Sequence, residues 1–160
     1  MAKISIGKNG ALRFDGVAPQ LYELLCGIRA AAETPDPRVE ARFFPDPTGE
    51  EGECMAEDWK AFVQPDLHDG FQAARDTVAA DLRGAKQAKD GSFSFAIPRA
   101  HIDAWLGALN QARLALAEAH GLGEAEMSRG PGDLDDPREH ALFRIGVYGM
   151  LQEWLVSVLD

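Results

Sequence analysis

Two polar side chains interrupt otherwise apolar helical faces: Arg113 in the segment 98–120 and Gln152 in the segment 136–159. Arg113 projects within about 40° of the centre of its apolar stripe, with Asn110 beside it at i−3. Gln152 sits among Ile145, Leu155 and Val156. A buried guanidinium needs an acid or several carbonyls, because an unpaired buried charge costs several kcal/mol. Two arrangements meet that need. In the first, Arg113 closes an internal ion pair with Asp103, Glu139 or Glu153 and fixes helix register. In the second, Arg113, Asn110, Gln152 and Glu153 line a pocket between the two helices that receives an anion, as in a small-molecule binder or hydrolase.

Signals for other chemistry are weak. His68, His101, His120 and His140 include no pair at helical metal-ligand spacing, and His-Glu-x-x-His is absent. His68-Asp69 resembles the dipeptide of metal phosphohydrolases, but no further ligand histidines can be placed, so a surface pair is the expectation. Asp133, Asp135 and Asp136 lack the ligand order and closing Glu of a calcium loop, and fit loop solvation and a helix cap instead. No Gly-x-Ser-x-Gly, Walker-type loop or dinucleotide fingerprint occurs, and Gly121-Leu122-Gly123 follows a helix rather than a strand. Cys26 and Cys54 form no C-x-x-C pair, and Cys26, inside Leu24-Leu25-Cys26-Gly27-Ile28, is expected to be a buried hydrophobe. No catalytic residue, metal or cofactor is therefore assigned.

The composition bounds the partners. The 160 residues carry 16 Lys+Arg against 26 Asp+Glu, a formal charge of −10. Nucleic acid and anionic membrane surfaces are disfavoured by that field, since no basic patch concentrates the scattered cations. A basic protein partner or a cationic ligand remains allowed. Arg, Glu or Gln interrupt the apolar stretches before the roughly 20 residues a membrane span requires, so none is expected. The N-terminus lacks the apolar core of a signal peptide, which makes a reducing cytoplasm the expected location.

The elements that position these residues read as one domain, 1–160. Lys3–Ile6 and Ala11–Phe14 flank Gly7-Lys8-Asn9-Gly10, a β-hairpin within 1–16 that Asp15-Gly16 ends. A helix runs from Pro19 to Ala32 on the stripe Leu21, Leu24, Leu25, Ile28 and Ala32. Residues 35–57 form a proline- and glycine-rich loop with Phe43-Phe44 pinned into the core. A turn at 59–63 precedes a helix from Pro65 to Lys86 on Leu67, Phe71, Ala74, Val78 and Leu82. Ser92–Ile97 alternates with period two and supplies a third strand. Pro98 opens a helix to His120 on Ile102, Trp105, Leu106, Leu109, Ala112 and Leu116, stopped by Gly121. Residues 121–135 read as a mobile glycine-rich loop. Asp136-Pro137-Arg138-Glu139 is an N-cap, a first-position Pro and a capping-box acid for the last helix.

That last helix is apolar almost all round, with Glu139, Gly146, Glu153 and Ser157 sharing one narrow polar strip. Such a helix is buried on most sides. The first expectation is the central helix of the bundle; the second is a helix docked on another subunit through Tyr148, Leu151, Trp154 and Leu155. The expected class is α+β, mainly α: four main helices packed with a small three-stranded antiparallel sheet.

Trp105-Leu106-x-x-Leu109-Asn110-x-x-Arg113-Leu114, followed by Leu116 and Gly121, resembles the signature of the DUF2017 family of bacterial proteins. Asp136-Pro137 leading to Tyr148, Leu151-Gln152-Glu153 and Leu155-Val156 is similar to that family's C-terminal motif, and Phe44-Pro45-Asp46-Pro47 to its central segment. The chain departs from it at Gln111-Ala112, where members often carry Asp-Leu, and in the glycine-rich stretch before Asp136. The resemblance implies a helical cytosolic protein with no established activity, some of whose members lie beside the gene for the Clp protease adaptor. The expectation for function is a non-enzymatic interaction or regulatory protein, forming a homo-oligomer (dimer) or binding another cytosolic protein; the anion pocket is the alternative.

Overall fold

The computed structural model describes residues 2–33 and 64–159, with side chains from residue 69 onward in the second stretch. The expectations for 35–57, for the turn at 59–63, for Cys54 and for the His68 side chain lie outside the described residues. Strand β1 (Lys3–Ile6) turns through Gly7–Gly10 into β2 (Leu12–Val17). The turn closes because Gly10 takes φ +82°, a conformation favouring glycine, and Asn9 Oδ1 accepts from the Ala11 amide at 3.1 Å. Short helices α1 (Pro19–Cys26) and α2 (Ile28–Ala32) follow, then α3 (Gln64–Arg83), β3 (Lys86–Gln87) and β4 (Phe93–Ile97). After a single 3₁₀ turn at Arg99–His101 come α4 (Ile102–Ala119), α5 (Glu124–Arg129) and α6 (Pro137–Leu159).

The fold is α+β and mainly helical, and the antiparallel sheet has four strands rather than the three expected, in the order β1-β2-β4-β3. The extra strand, Lys86–Gln87, is two exposed polar-ended residues paired with Ser94 and Phe93, too short to show alternation. Strand β2 also runs past the expected stop at Asp15-Gly16. A bulge at Gly16, φ +65°, lets Val17 rejoin the ladder opposite Phe93. The expected Pro19–Ala32 helix is broken at Gly27. A Cβ there would lie 2.8 Å from Arg144 Nη2, so any larger residue would make that guanidinium shift.

One face of the sheet presents Leu12, Phe14, Phe95 and Ile97 to the helices, and Phe95 stacks on Trp105 at 6.1 Å. Helix α4 holds the centre: it packs on α2, α3 and α6, and Ile102, Trp105, Ala108, Leu109 and Ala112 are fully buried. Ala108, Ala112, Ala115 and Ala117 are small enough for neighbours to approach on several sides. Each large aliphatic or aromatic side chain placed there adds about 1.5–3 kcal/mol of burial. This overturns the expectation of a central last helix. Helix α6 lies on one flank of α4, with Ala141, Leu142, Ile145, Tyr148, Leu151 and Leu155 buried and its other side exposed. It is also, against the sequence expectation, long and apolar enough to cross a membrane by length and composition. Its buried side belongs to the common core, as in a core helix that passes the same criterion.

The segment 121–135 is not an open loop. Glu124–Arg129 is helical, Arg138 donates to the His120 and Gly121 carbonyls at 3.0 and 2.9 Å, and it pairs with Glu126. Glu139 does not close a capping box. Its carboxylate accepts from Arg129 Nη2 at 2.8 Å and from the Gly132 amide at 3.0 Å, while Asp136 Oδ1 caps the Arg138 amide at 2.9 Å. Arg129 first, and then the Gly132 amide, holds the Glu139 carboxyl below the usual carboxylate range.

Candidate functional site: an apolar cleft beside the last helix

Helix α6 carries two apolar stripes. The inner one packs on α4. The outer one is Phe143, Val147, Met150 and Trp154, spaced 4-3-4, the repeat of a coiled-coil seam. Phe143 and Val147 are half-buried, while Met150 and Trp154 remain 45% and 38% exposed. Gly146, Glu153 and Ser157 of the narrow polar strip are exposed, and the solvent side also includes Met150 and Trp154 of this stripe, because α4 covers only one half of the helix.

The sheet and α1 overhang the stripe without closing on it. Ile4 stands opposite Phe14 and Ile6 opposite Leu12 on the core face of the sheet, yet both isoleucines are exposed. Between Ile4 and α6 lies a cleft of about 310 Å³, walled by Ile4, Phe14, Val17, Leu21 and Leu25 on one side and Val147, Met150, Leu151 and Trp154 on the other. Such a cleft accepts an apolar side chain and offers no titratable group for catalysis.

Of the residues expected at an interface, only Trp154 faces solvent. Tyr148, Leu151 and Leu155 are core residues, a correction that follows from their places on the inner stripe. Tyr148 is fully buried and satisfied: its hydroxyl donates to the Leu24 carbonyl at 2.6 Å and accepts from Arg144 Nη2 at 3.0 Å. Burial pushes the phenol above the usual tyrosine range, and the Arg144 guanidinium offsets part of that.

The expected polar pocket is an open groove of about 1020 Å³ between α4 and α6, lined by Arg113, Gln152 and Glu153 among Leu106, Met150 and Val156. Asn110 does not line it; the side chain is exposed one turn away. Arg113 pairs with none of the acids expected for it. Nη1 donates to Gln152 Oε1 at 2.7 Å, and Gln152 Nε2 donates to the Leu106 carbonyl at 3.3 Å. The guanidinium lies over Gly149, where an added Cβ would stand 3.4 Å from Cζ. Arg113 and Gln152 thus tie α4 to α6, and the carboxylate bordering the groove, Glu153, opposes an anion.

Two polar clusters were missed. Arg75 Nη1 donates to Gln111 Oε1 at 3.0 Å between α3 and α4, and both residues are buried. Asp81 of α3 accepts from Trp105 Nε1 at 2.9 Å and shares a proton contact of 2.9 Å with His101 Nδ1. Arg75 and Asp81 are two of many polar residues in α3, and no spacing in the sequence connects them to Gln111, His101 or Trp105. Cys26, expected to be buried, is exposed. Among the described residues no group of three or more His, Cys, Asp or Glu side chains is placed to hold a metal.

Residues 9–159 match the family model described as domain of unknown function DUF2017. No curated protein and no solved structure matches the chain.

Proposed function

The chain belongs to the DUF2017 family, and we propose that it is a non-enzymatic protein-interaction module of the cytosol, using the outer stripe of α6. The observation that carries this reading is the pair Met150 and Trp154, both exposed at the mouth of an apolar cleft. A large exposed aromatic beside a preformed apolar pocket is the composition of an interaction hot spot. The groove with Arg113 supports the alternative, an anionic-ligand site, less well: its guanidinium is already engaged by Gln152, and Glu153 stands beside it.

Photo-crosslinking in the native cells tests the reading. A benzophenone amino acid at position 154 is expected to give discrete protein adducts, and one at Ala96, exposed on the other face of the sheet, none. Adducts of equal yield at both positions, or none at position 154, would end it.

A further inference from the structure

We infer that β1 is the edge through which two copies of this chain pair, their sheets joining antiparallel across a two-fold axis at Ser5. The inference goes beyond the reading of the α6 stripe and stands on the backbone of the sheet. Strand β1 is one edge of the order β1-β2-β4-β3, and among the described residues no strand lies on its outer side. The Gly7 amide donates to the Ala11 carbonyl at 2.8 Å, which makes 7 and 11 a hydrogen-bonded pair in the register that sets Ile4 against Phe14 and Ile6 against Leu12. Antiparallel pairs alternate, so Lys3 and Ser5 bond to β2, whereas the amides and carbonyls of Ile4 and Ile6 point away from it. The open peptide groups therefore belong to the two exposed isoleucines. Ile6, at 63%, is the most exposed large apolar residue among those described.

The two edges of the sheet are unlike. Strand β3 is only Lys86–Gln87, short and polar, as edges that resist pairing are. Strand β1 runs from Lys3 to Ile6 and has only Lys3 as a deterrent. Its protruding isoleucines fit a strand that brings apolar side chains at the same spacing of two, and β1 is itself such a strand. With Ser5 opposite Ser5 of the second copy, Ile4 faces Ile6 and Ile6 faces Ile4, each pair exchanging both main-chain bonds. Lys3 then faces Gly7 and Lys8 faces Ala2, so no like charges stand opposite each other. A slip of two residues sets Ile6 against Ala2 or Ile4 against Lys8, which leaves an isoleucine unmatched. On the core face, Ile6 of the second copy stands beside Ile4 and extends the wall that Ile4 gives to the cleft, so each copy adds a residue to the other's cleft. The blunt β3 edges end the joined sheet, and the assembly closes as a dimer.

Disulfide trapping tests this in the full chain with Cys26 and Cys54 replaced by Ser. Ser5 meets itself in a non-hydrogen-bonded pair, where Cα atoms stand about 4.5 Å apart and a disulfide fits. Ser5→Cys is expected to give a covalent dimer under mild oxidation, and Lys3→Cys, which faces Gly7, at least about tenfold less. Sedimentation of the parent from about 1 μM to about 1 mM should show reversible monomer–dimer association, as suits a small interface. Exchange at the Ile4 and Ile6 amides should slow as the dimer forms. Ile6→Lys should weaken the dimer at least about tenfold while the melting temperature of the monomer holds, and Gln87→Lys on the other edge should change nothing. A parent that stays monomeric at about 1 mM overturns the inference, as does equal trapping at positions 3 and 5. So does a dimer whose Ile4 and Ile6 amides stay open to exchange, or one that Ile6→Lys leaves intact, because either pairs through another face. The α6 reading is decided separately, by adducts of position 154 with another protein.

Discussion

Gln111 Oε1 accepts from Arg75 Nη1 at 3.0 Å in a site where the two residues are 2% and 8% exposed. The amide is imperfectly matched to its place: Gln111 Nε2 and Arg75 Nε are buried without partners. Replacing the amide by an apolar group strands the arginine donor in the interior, and hydrogen bonds to charged groups are worth about 1.5–3 kcal/mol. Gln111→Leu is expected to cost about 2 kcal/mol in urea denaturation. Gln111→Glu removes the unpartnered donor and gives the guanidinium a carboxylate, so it should be at least as stable as the parent at neutral pH. A Gln111→Leu chain with unchanged midpoint would show that the pair adds nothing to stability.

Asp81 serves two donors of different depth. Trp105 is fully buried and donates its Nε1–H to Oδ2, whereas His101 is partly exposed. Asp81→Asn keeps an acceptor for the indole, so thermal unfolding should shift by only a few degrees. Asp81→Ala leaves the indole N–H unsatisfied in the core and should cost about 1–3 kcal/mol. Equal losses in the two variants would mean that the indole bond is not what Asp81 supplies.

Local rules made most elements legible. Alternation in Phe93-Ser94-Phe95, Asn-Gly in the turn, and prolines at 19 and 137 located the hairpin, the third strand and two helix starts. Elements without a local signature were lost: Lys86–Gln87 exists as a strand only because β4 lies beside it, and Glu124–Arg129 is masked by the glycines around it. The site was half legible. Arg113 and Gln152 were correctly brought together because both interrupt apolar stripes, but periodicity alone could not tell which side of α6 is covered. Its two apolar sides look alike in sequence. The choice was made by α4, whose alanines admit neighbours on several sides and bury even Gln111, opposite its main stripe.

The buried phenol of Tyr148 predicts behaviour at high pH. Its pKa is raised in the folded chain, so the folded state holds the phenolic proton more tightly than the unfolded state does. The stability this contributes is present below the unfolded value of about 10 and is lost as pH rises through the folded value. Tyr148→Phe should be less stable than the parent at pH 7, by about 1 kcal/mol for the lost bond to the Leu24 carbonyl. The difference should shrink above about pH 10. A gap that stays constant to pH 11 would separate the phenol from the alkaline loss.

Glu139 gives the corresponding prediction in acid, and there it concerns a segment more than the whole fold. The carboxylate joins Arg129 of α5 and the Gly132 amide to the first turn of α6, and those contacts hold its pKa down. A depressed carboxyl contributes stability above its unfolded value of about 4.3, lost as pH falls through the folded value. As pH falls through that lowered folded value the proton displaces Arg129, and the chain from Glu124 to Asp136 loses a tether that α6 supplies. Amide protection relative to the intrinsic exchange rate is expected to fall in that stretch on acidification well before it falls in α4. Glu139→Gln should show the lower protection already at neutral pH and little further loss on acidification. Equal acid loss of protection in the variant and the parent would assign the tether to Arg138, which holds the same segment through Glu126 and the His120 and Gly121 carbonyls.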